Sequence, residues 1–342
     1  MRAAPSVWAA LNCGMWPGSL RRETRNFLHR EEEMPVIVNF WMGSPLSYIT
    51  TKIETYFNDQ AISSATGFIL HLATNYFLIT NWHVLSGRNP IDNACLSPTA
   101  AIPNRIKFHV ALSKKRIIKG REHESLFFKP MDVWLFKRNE PIWIDSKGND
   151  NQNDFAAILI DSYVPELKSR GHSLRSIAGG KVTMKRGASP PETGPVPVSD
   201  VSHFYPAVGS EVFVLGYPKG ISAGGVFPIW KRASIASEPQ TSLTLGGKEY
   251  PTAFYIDAMT KSGMSGSPVV YLGEKGDRLF SDDGVQVELK DDEPLMVGVY
   301  AGRDGVSKDE HELSLGRVWK TEAVERMAFA AIARPLHKRH TS

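Results

Sequence analysis

The sequence predicts an all-β fold built from two small antiparallel β-barrels and a C-terminal helix. Short runs rich in Val, Ile, Phe, Tyr and Thr recur along the chain, with turn-forming residues between them. A stretch rich in Pro, Gly and Ser at 171–207 divides these runs into two groups. The length of 342 residues suits two domains at roughly 150 residues each. Two small barrels fit this spacing of strands.

The composition is that of an ordinary globular protein, with 42% hydrophobic and 22% charged residues, which excludes wholesale disorder. The net charge of +4 is too small to indicate nucleic-acid binding by itself. No uncharged apolar run reaches the length of about 18 residues that a transmembrane helix needs. The two cysteines, Cys13 and Cys95, exclude a framework of several disulfides and favour a reducing compartment. We therefore expect a cytoplasmic protein that binds neither nucleic acid nor membrane.

Residues 1–33 differ from the rest of the chain, because they carry five Arg against four Glu and show no strand alternation. The apolar stretch near the start is short and is broken by Pro5, unlike a secretory signal peptide. We interpret 1–33 as a leader of doubtful order. Met34 follows three glutamates and precedes an apolar run, so either Met1 or Met34 could be the true start.

Residues 34–165 form the predicted first barrel. Apolar runs at 67–72 and 76–80, with turn residues between them, indicate a hairpin. Further strands are predicted at 106–112, 116–119, 133–136 and 155–160.

Residues 166–207 are interpreted as a linker or surface excursion, because prolines break helices and cannot donate to a sheet. Residues 208–312 form the predicted second barrel, with a long polar hairpin tip at 273–293. Apolar residues at helical spacing from 316 to 334 predict a helix within 313–342, followed by a tail. The strands predicted for the second barrel are 211–215, 228–236, 253–257, 268–271 and 295–300.

The segment 262–268, Ser-Gly-Met-Ser-Gly-Ser-Pro, places Ser265 among small residues directly before an apolar strand. Small neighbours allow a substrate backbone to approach the hydroxyl. Gly263 permits a turn in which the amides of Gly263 and Ser265 point at one spot, as an oxyanion hole requires. The alternative is a plain Gly/Ser turn between two strands.

A serine hydroxyl is a poor nucleophile without a base. His83 follows the apolar run 76–80 and has apolar neighbours, which favours it as that base. The alternative is a histidine that is satisfied in the core or at the surface. This second interpretation applies to His71, His109, His123, His172, His203 and His311.

The base needs an acid to orient it. Asp154 opens the apolar run 155–160 directly after the polar run 148–153, where a carboxylate can be buried against an imidazole. A surface aspartate at the start of a strand is the alternative. The rival acids are Asp132, Asp145, Asp150 and Asp161.

The order His, Asp, Ser along the chain is that of chymotrypsin. Together these residues resemble the trypsin-like, chymotrypsin-fold serine peptidases, in the cysteine-poor bacterial HtrA-like type without a PDZ domain. The resemblance covers about residues 45–333. It implies two six-stranded antiparallel β-barrels with the triad in the cleft between them. The segments that carry it are 80–84 (Thr-Asn-Trp-His-Val), 153–156 (Asn-Asp-Phe-Ala), 208–218, 263–268 (Gly-Met-Ser-Gly-Ser-Pro) and 297–300 (Val-Gly-Val-Tyr).

The sequence departs from this family at three points. Met264 stands where secreted relatives have the aspartate that receives a new N-terminus, so activation by zymogen cleavage is not implied. Ser267 replaces the second glycine of the serine motif and is small enough to be tolerated. The interval between His83 and Asp154 is long for the family, which implies inserted loops in the first barrel.

The resemblance also implies a substrate pocket with Met259 at its base and Ala301, Gly302 and Arg303 along one wall. Met259 offers no carboxylate to pair with an arginine or lysine of the substrate. We therefore expect an apolar or small residue before the scissile bond. Lys261 and Arg303 would instead favour an acidic residue there.

We expect a serine endopeptidase that hydrolyses polypeptides through His83, Asp154, Ser265 and an acyl-enzyme, with no metal or organic cofactor. The alternative is a catalytically weak peptidase-like fold that binds a peptide or protein, which Met264, Ser267 and the long insertions would favour. A metal hydrolase is disfavoured, because the charge-rich segments 122–124 and 309–312 lack His-Glu-x-x-His spacing. The sequence does not indicate an oligomeric state.

Overall fold

Antiparallel strands dominate the structure, so the predicted all-β class is confirmed. The structure is a computed structural model that describes residues 37–38, 43–146, 153–168, 172–184, 201–245, 247–303 and 315–333. All of these residues belong to one compact unit, Pro35–Ser342. Three predicted segments lie outside the described residues: the leader 1–33, the centre of the linker and the C-terminal tail. The choice between Met1 and Met34 as the start falls there as well.

The first half of the chain contributes a nine-stranded sheet with the order β1-β6-β5-β2-β3-β4-β10-β9, in which β11 also pairs with β5. β7 and β8 pair only with each other. Two short helices, α1 (Pro45–Ile49) and α2 (Trp82–Ser86), and two 3₁₀ turns, Asp161–Tyr163 and Pro165–Lys168, lie between strands. The strands are β1 (Ile37–Val38), β2 (Thr50–Phe57), β3 (Gln60–Leu72), β4 (Asn75–Thr80), β5 (Arg105–Ile118), β6 (Arg121–Trp134), β7 (Phe136–Lys137), β8 (Glu140–Pro141), β9 (Ile144–Asp145), β10 (Ala156–Leu159) and β11 (His172–Leu174).

The second half forms a closed barrel with the circular order β14-β15-β18-β23-β22-β19. A four-stranded sheet, β12-β13-β20-β21, and the pair β16-β17 complete its strands. A 3₁₀ turn occupies Pro218–Gly220, and the helix α3 (Thr321–Ala333) follows the last strand. The strands are β12 (Lys181–Met184), β13 (Val201–Pro206), β14 (Glu211–Gly216), β15 (Ile229–Ile235), β16 (Leu243–Leu245), β17 (Lys248–Tyr250), β18 (Ala253–Asp257), β19 (Pro268–Gly273), β20 (Arg278–Ser281), β21 (Gln286–Glu288), β22 (Glu293–Arg303) and β23 (Leu315–Lys320).

The expectation of two closed six-stranded barrels is confirmed for the second half only. The barrel strands of that half, ranked along the chain, follow the circular order 1-2-3-6-5-4. The strands β2, β3, β4, β5, β6 and β10 repeat this order in the first half, but no ladder joins β6 to β10 among the described residues. Instead, β9 pairs with β10, with Ile144 opposite Ala157. The segment inserted between β6 and β10 therefore occupies the edge that closure of the first barrel would need.

The C-terminal boundary also differs from the prediction. The second barrel extends beyond 312, because β23 pairs with both β18 and β22 and closes the barrel. The predicted helix from 316 therefore starts only at Thr321. Val318 fitted the helical spacing of the residues after it, but it is fully buried as a strand residue, as is its neighbour Trp319. Among the helices of the described residues, none combines the length and the apolarity that crossing a membrane requires.

A core shared by both halves holds the site region together. Phe155 from the first half packs edge-on against Trp319 of the second, with ring centroids 6.0 Å apart. Val324 and Ala328 of α3 belong to the same cluster of buried side chains. Each half also has a separate core of its own. The junction between the halves is thus well packed and can hold side chains from both in fixed positions.

Candidate active site

The end of β4 positions His83. The strand ends at Thr80, and the chain turns at once into α2, which carries His83 as its second residue. The short helix ends at Gly87, whose left-handed backbone lets its amide donate to the carbonyl of His83 at 3.0 Å. The histidine is therefore held by the strand before it and by the helix cap after it.

The pairing of β4 with β10 brings Asp154 to the same place. Ala156 lies opposite Thr80 in the antiparallel register. Continuing the register by two residues sets Asp154 beside the start of α2. The side-chain amide of Asn81 donates to the backbone carbonyl of Asp154 and fixes this approach.

Asp154 holds His83 through two hydrogen bonds. The backbone N–H of His83 donates to Oδ1 at 2.9 Å, and the ring atom Nδ1 lies 2.6 Å from Oδ2. The side chains are 20% exposed for His83 and 6% exposed for Asp154. An ionised carboxylate can only accept, so Nδ1 carries the proton of the pair. The other ring nitrogen, Nε2, is then free to accept a proton.

The contact with Asp154 also changes the pKa of the His83 ring. Desolvation lowers the pKa of His83, but the charge and the hydrogen bond of Asp154 raise it by more. The net result is a pKa above the ordinary value of histidine. A raised pKa makes the neutral ring a stronger proton acceptor, which suits a general base.

Ser265 lies in the turn before β19, and this turn packs on the first half of the chain. The backbone N–H of Thr66 in β3 donates to the carbonyl of Ser265 at 2.9 Å. Gly266 lies so close to β3 and β4 that an added Cβ would meet the Thr66 carbonyl at 2.2 Å and the Thr80 hydroxyl at 2.3 Å. Because Thr80 leads directly into α2, the structure brings Ser265 and His83 to the same end of β4.

The hydroxyl of Ser265 is not bonded to the imidazole. Its oxygen lies 3.5 Å from the carbonyl oxygen of Ala301, at the outer limit of a hydrogen bond. Within the described residues, no hydrogen bond joins Ser265 to His83. Bonds of this kind are often long in the absence of substrate and tighten when it binds.

The carbonyls from Ser262 to Ser265 in this turn are all bound to the protein. Four successive carbonyls accept hydrogen bonds, and the donors are distributed over both halves. The Ser262 carbonyl accepts from the Lys219 amide at 2.6 Å, and the Gly263 carbonyl accepts from the Thr66 hydroxyl at 2.7 Å. The Met264 carbonyl accepts from the Ser267 amide at 3.0 Å, and the Ser265 carbonyl accepts from the Thr66 amide at 2.9 Å.

The amides of the same turn divide into two sets. Those of Met264, Gly266 and Ser267 donate to the carbonyls of Lys261, Tyr300 and Met264, respectively. Those of Gly263 and Ser265, in the part of the chain that the structure describes, have no acceptor. These two are the amides that the sequence indicated for an oxyanion hole. Donors left free while their carbonyls are bound elsewhere are what such a hole requires.

Glycine is needed at 263 because the backbone has φ of +94° there. An added Cβ would also meet the carbonyl oxygen of Tyr217 at 2.3 Å. Met264, which stands where the family has an aspartate, is fully buried in the core of the second barrel. The hydroxyl of Ser267 is buried and, among the described residues, has no hydrogen-bond partner.

The predicted pocket residues are divided between a strand end and an exposed loop. Ala301, Gly302 and Arg303 form the end of β22, and the carbonyl of Ala301 faces the Ser265 hydroxyl. Met259 is 70% exposed, so the surrounding chain does not enclose it. Its neighbour Thr260 is buried, with its hydroxyl bonded to that of Tyr300. The role of Met259 as the base of a pocket stays a prediction.

Of three comparisons with known proteins, the one with solved structures gives matches. No model of a protein family matches the sequence, and no curated protein does. The solved structures that this chain resembles include serine proteases. Rv3671c from M. tuberculosis H37Rv, in an inactive form, shares 17% identity at a TM-score of 0.37 and aligns over 85% of this chain and 90% of its own.

Two further structures give similar values. The serine endoprotease from Yersinia pestis shares 14% identity at a TM-score of 0.37, over 84% of this chain and 64% of its own. Deg5 shares 15% identity at a TM-score of 0.33, over 75% of this chain and 80% of its own. Because TM-scores this low are distant likenesses, the chemistry of this chain has to be derived from its own side chains.

Sequence reasoning missed Thr66, although its hydroxyl and amide hold two carbonyls of the Ser265 turn. It also missed the role of Tyr217, whose amide donates to the Thr66 hydroxyl at 3.1 Å. No local signal could have identified them, because their partners are distant in the sequence. Among the described residues, no group of three or more His, Cys, Asp or Glu side chains is arranged to hold a metal ion.

Proposed function

We propose that this chain is a serine endopeptidase that hydrolyses peptide bonds through His83, Asp154 and Ser265. The observation that carries the proposal is the doubly hydrogen-bonded pair of His83 and Asp154 at the turn that holds Ser265. The pair leaves Nε2 as the proton acceptor, and the turn offers two free amides beside the serine.

In the proposed reaction, the hydroxyl oxygen of Ser265 attacks the carbonyl carbon of the peptide bond while Nε2 of His83 takes the hydroxyl proton. The amides of Gly263 and Ser265 stabilise the oxyanion, each by about 3–4 kcal/mol. The imidazolium, stabilised by Asp154, then returns the proton to the leaving amine and an acyl-enzyme remains. Water hydrolyses the ester by the same steps and restores Ser265.

Covalent labelling tests this proposal. We expect the wild-type protein to react with a fluorophosphonate probe, because the reaction needs an activated serine. Ser265→Ala should remove the labelling, and Ser262→Ala, an exposed serine in the same turn, should keep it. Labelling that persists in Ser265→Ala would assign the nucleophile to another residue.

A peptide-binding protein without catalysis is the second candidate. The bond of the Ser265 hydroxyl to Ala301, rather than to His83, favours it. A wild-type protein that binds peptides but does not react with the probe would support this candidate and oppose the first.

Substrate preference and location are further parts of the proposal. We expect cleavage after an apolar or small residue, or after an acidic one if Lys261 and Arg303 contact the substrate. Cleavage of a peptide library mainly after arginine or lysine would contradict both. The scarcity of cysteine supports a cytoplasmic location, which fractionation of the native cells would test.

A further inference from the structure

Thr66 lies at the centre of the contacts between the Ser265 turn and the first half. It belongs to β3 and is fully buried. Its hydroxyl donates to the carbonyl of Gly263 at 2.7 Å and accepts from the amide of Tyr217 at 3.1 Å. Its own amide donates to the carbonyl of Ser265, and its own carbonyl accepts from the Thr80 hydroxyl at 2.7 Å. One residue thus connects β4, the Tyr217 loop and the turn of the nucleophile.

These contacts act on the backbone of the turn at Gly263. Gly263 can adopt many combinations of φ and ψ, because it has no side chain to restrict it. The peptide plane before it is held by the bond from the Lys219 amide to the Ser262 carbonyl. The plane after it is held by the bond from the Thr66 hydroxyl to the Gly263 carbonyl. The first plane carries the amide of Gly263 and the second carries the amide of Met264, so holding both restricts φ and ψ of Gly263. The amide of Ser265 lies in the next plane, whose Met264 carbonyl accepts from the Ser267 amide.

We propose that Thr66 is a positioning residue of the oxyanion hole. Its hydroxyl holds the Gly263 carbonyl, which lies in the peptide plane between the two planes that carry the amides of Gly263 and Ser265. Its amide holds the Ser265 carbonyl in the plane that follows them, so Thr66 restricts the rotation by which the two amides would lose a common target. The inference rests on the proposed peptidase function and adds a residue that contacts no substrate. Without the hydroxyl, the Gly263 carbonyl and the Tyr217 amide would be buried without their partner, and the plane could rotate.

Replacement by valine isolates the hydroxyl, because valine has nearly the same shape and no donor. The measurement is the rate of covalent labelling by a fluorophosphonate probe, resolved into the rate at saturation, kinact, and the half-saturating concentration, KI. We expect kinact of Thr66→Val to fall about ten- to hundredfold, less than the loss of an oxyanion donor itself. KI should change less than about twofold, because the oxyanion contacts form mainly in the transition state.

Three further variants separate positioning from stability. Thr66→Ser keeps the hydroxyl and should restore kinact to within about threefold of the wild type. Thr55→Val removes another fully buried threonine hydroxyl, which bonds to Ser63, and should leave kinact and KI unchanged. If valine prevents folding, Thr66→Cys replaces it. Its thiol is a weak donor, so kinact should lie clearly below that of Thr66→Ser.

The outcomes distinguish this inference from the proposed function. A wild-type protein that reacts at Ser265, with an equal kinact in Thr66→Val, overturns the role of Thr66 and leaves the peptidase proposal intact. The role of Thr66 is also overturned if kinact falls as much in Thr66→Ser as in Thr66→Val, or if it falls by a similar factor in Thr55→Val. A wild-type protein that does not react with the probe overturns both proposals. A loss confined to kinact and rescued by serine supports the positioning role.

Discussion

The carboxylate of Asp154 determines which nitrogen of His83 carries the proton. Asp154→Asn keeps the size of the side chain but presents an amide N–H₂ or a weaker acceptor to Nδ1. The amide group would favour the tautomer with the proton on Nε2, and that nitrogen could then not accept from Ser265. We expect the rate of probe labelling at saturation to fall about 10⁴-fold.

Asp161→Asn is the matched control for this substitution. Asp161 lies at the opposite end of the same apolar strand, β10, and its carboxylate accepts from the amide of Tyr76 at 3.0 Å. It has no contact with His83 among the described residues, so its variant should label at nearly the wild-type rate. A loss in Asp154→Asn no larger than the loss in Asp161→Asn would contradict the role assigned to Asp154.

The raised pKa of His83 predicts how reactivity depends on pH. Only the neutral ring accepts a proton, so labelling should rise with pH through a midpoint above the ordinary histidine pKa of about 6.5. The contribution of the charged pair to stability has the opposite dependence. It is fully present below the unfolded pKa and is lost as pH rises through the folded pKa.

Titration of the His83 ring by NMR, in the wild type and in Asp154→Asn, checks this prediction. Because Asp154 raises the pKa against the desolvation of the ring, its loss should move the titration midpoint of His83 to lower pH. An unchanged midpoint in Asp154→Asn would mean that Asp154 does not raise the pKa of His83.

At the level of residues, the sequence indicated the two partners that the structure joins, His83 and Asp154. Each lies at the end of an apolar strand, and such a position is visible in the sequence. Thr66 could not be found in this way, because its side-chain partners Tyr217 and Gly263 lie 151 and 197 residues away. Hydrogen bonds between distant segments leave no local pattern in the sequence.

The helix α3 is anchored to the rest of the chain by two buried hydrogen bonds of Glu325. Nε2 of His203 in β13 lies 2.9 Å from Oε2 of Glu325, and the side chains are almost fully buried. The second carboxylate oxygen accepts from the amide of Gly180 at 2.6 Å. Glu325→Ala would leave both donors buried without this acceptor. Each buried donor left without an acceptor costs about 1–3 kcal/mol, so we expect a loss of about 2–5 kcal/mol in the free energy of unfolding, measured with denaturant.

Arg326→Ala is the control on the same helix. The side chain of Arg326 is 64% exposed and pairs with Glu322 one turn earlier. Exposed pairs of this kind contribute little, so the free energy of unfolding should change by about 0.5 kcal/mol or less. Similar losses in the two variants would mean that the burial of the His203–Glu325 pair has no special effect.

At the level of elements, local signals predicted some strands well and others poorly. The hairpin of β3 and β4 is confirmed, and the strand predicted at 253–257 coincides with β18. β23 was missed, because its apolar residues also fit the spacing of the helix that follows. What distinguishes the two is the pairing of β23 with β18 and β22, which depends on segments far from it in the sequence.

Over the whole molecule, the two halves repeat one strand order but differ in closure. The spacing of strands and turns was enough to predict two groups of strands of barrel size. Closure depends on a single seam, between the fifth and sixth strands of each group. In the first half, the inserted segment with β9 occupies that seam. Whether β6 or β9 pairs with β10 depends on the three-dimensional structure, so local composition could not predict it.

The shared core predicts that both halves unfold together. Phe155 is fully buried in it and contacts the second half through Trp319. Phe155→Ala should lower the free energy of unfolding by about 3–5 kcal/mol. Hydrogen exchange measured by mass spectrometry should show a similar loss of protection in β4 and in β22, since one cluster of side chains supports both.

The control for this experiment is Phe136→Ala. Phe136 is 40% exposed and packs edge-on against Trp143 of the first half, with ring centroids 5.4 Å apart. Its loss should cost about 1 kcal/mol or less. Loss of protection confined to β4 in Phe155→Ala, or two resolved unfolding transitions, would mean that the halves unfold separately. The active-site contacts between Thr66 and the Ser265 turn would then depend on docking of two independent domains and not on a common core.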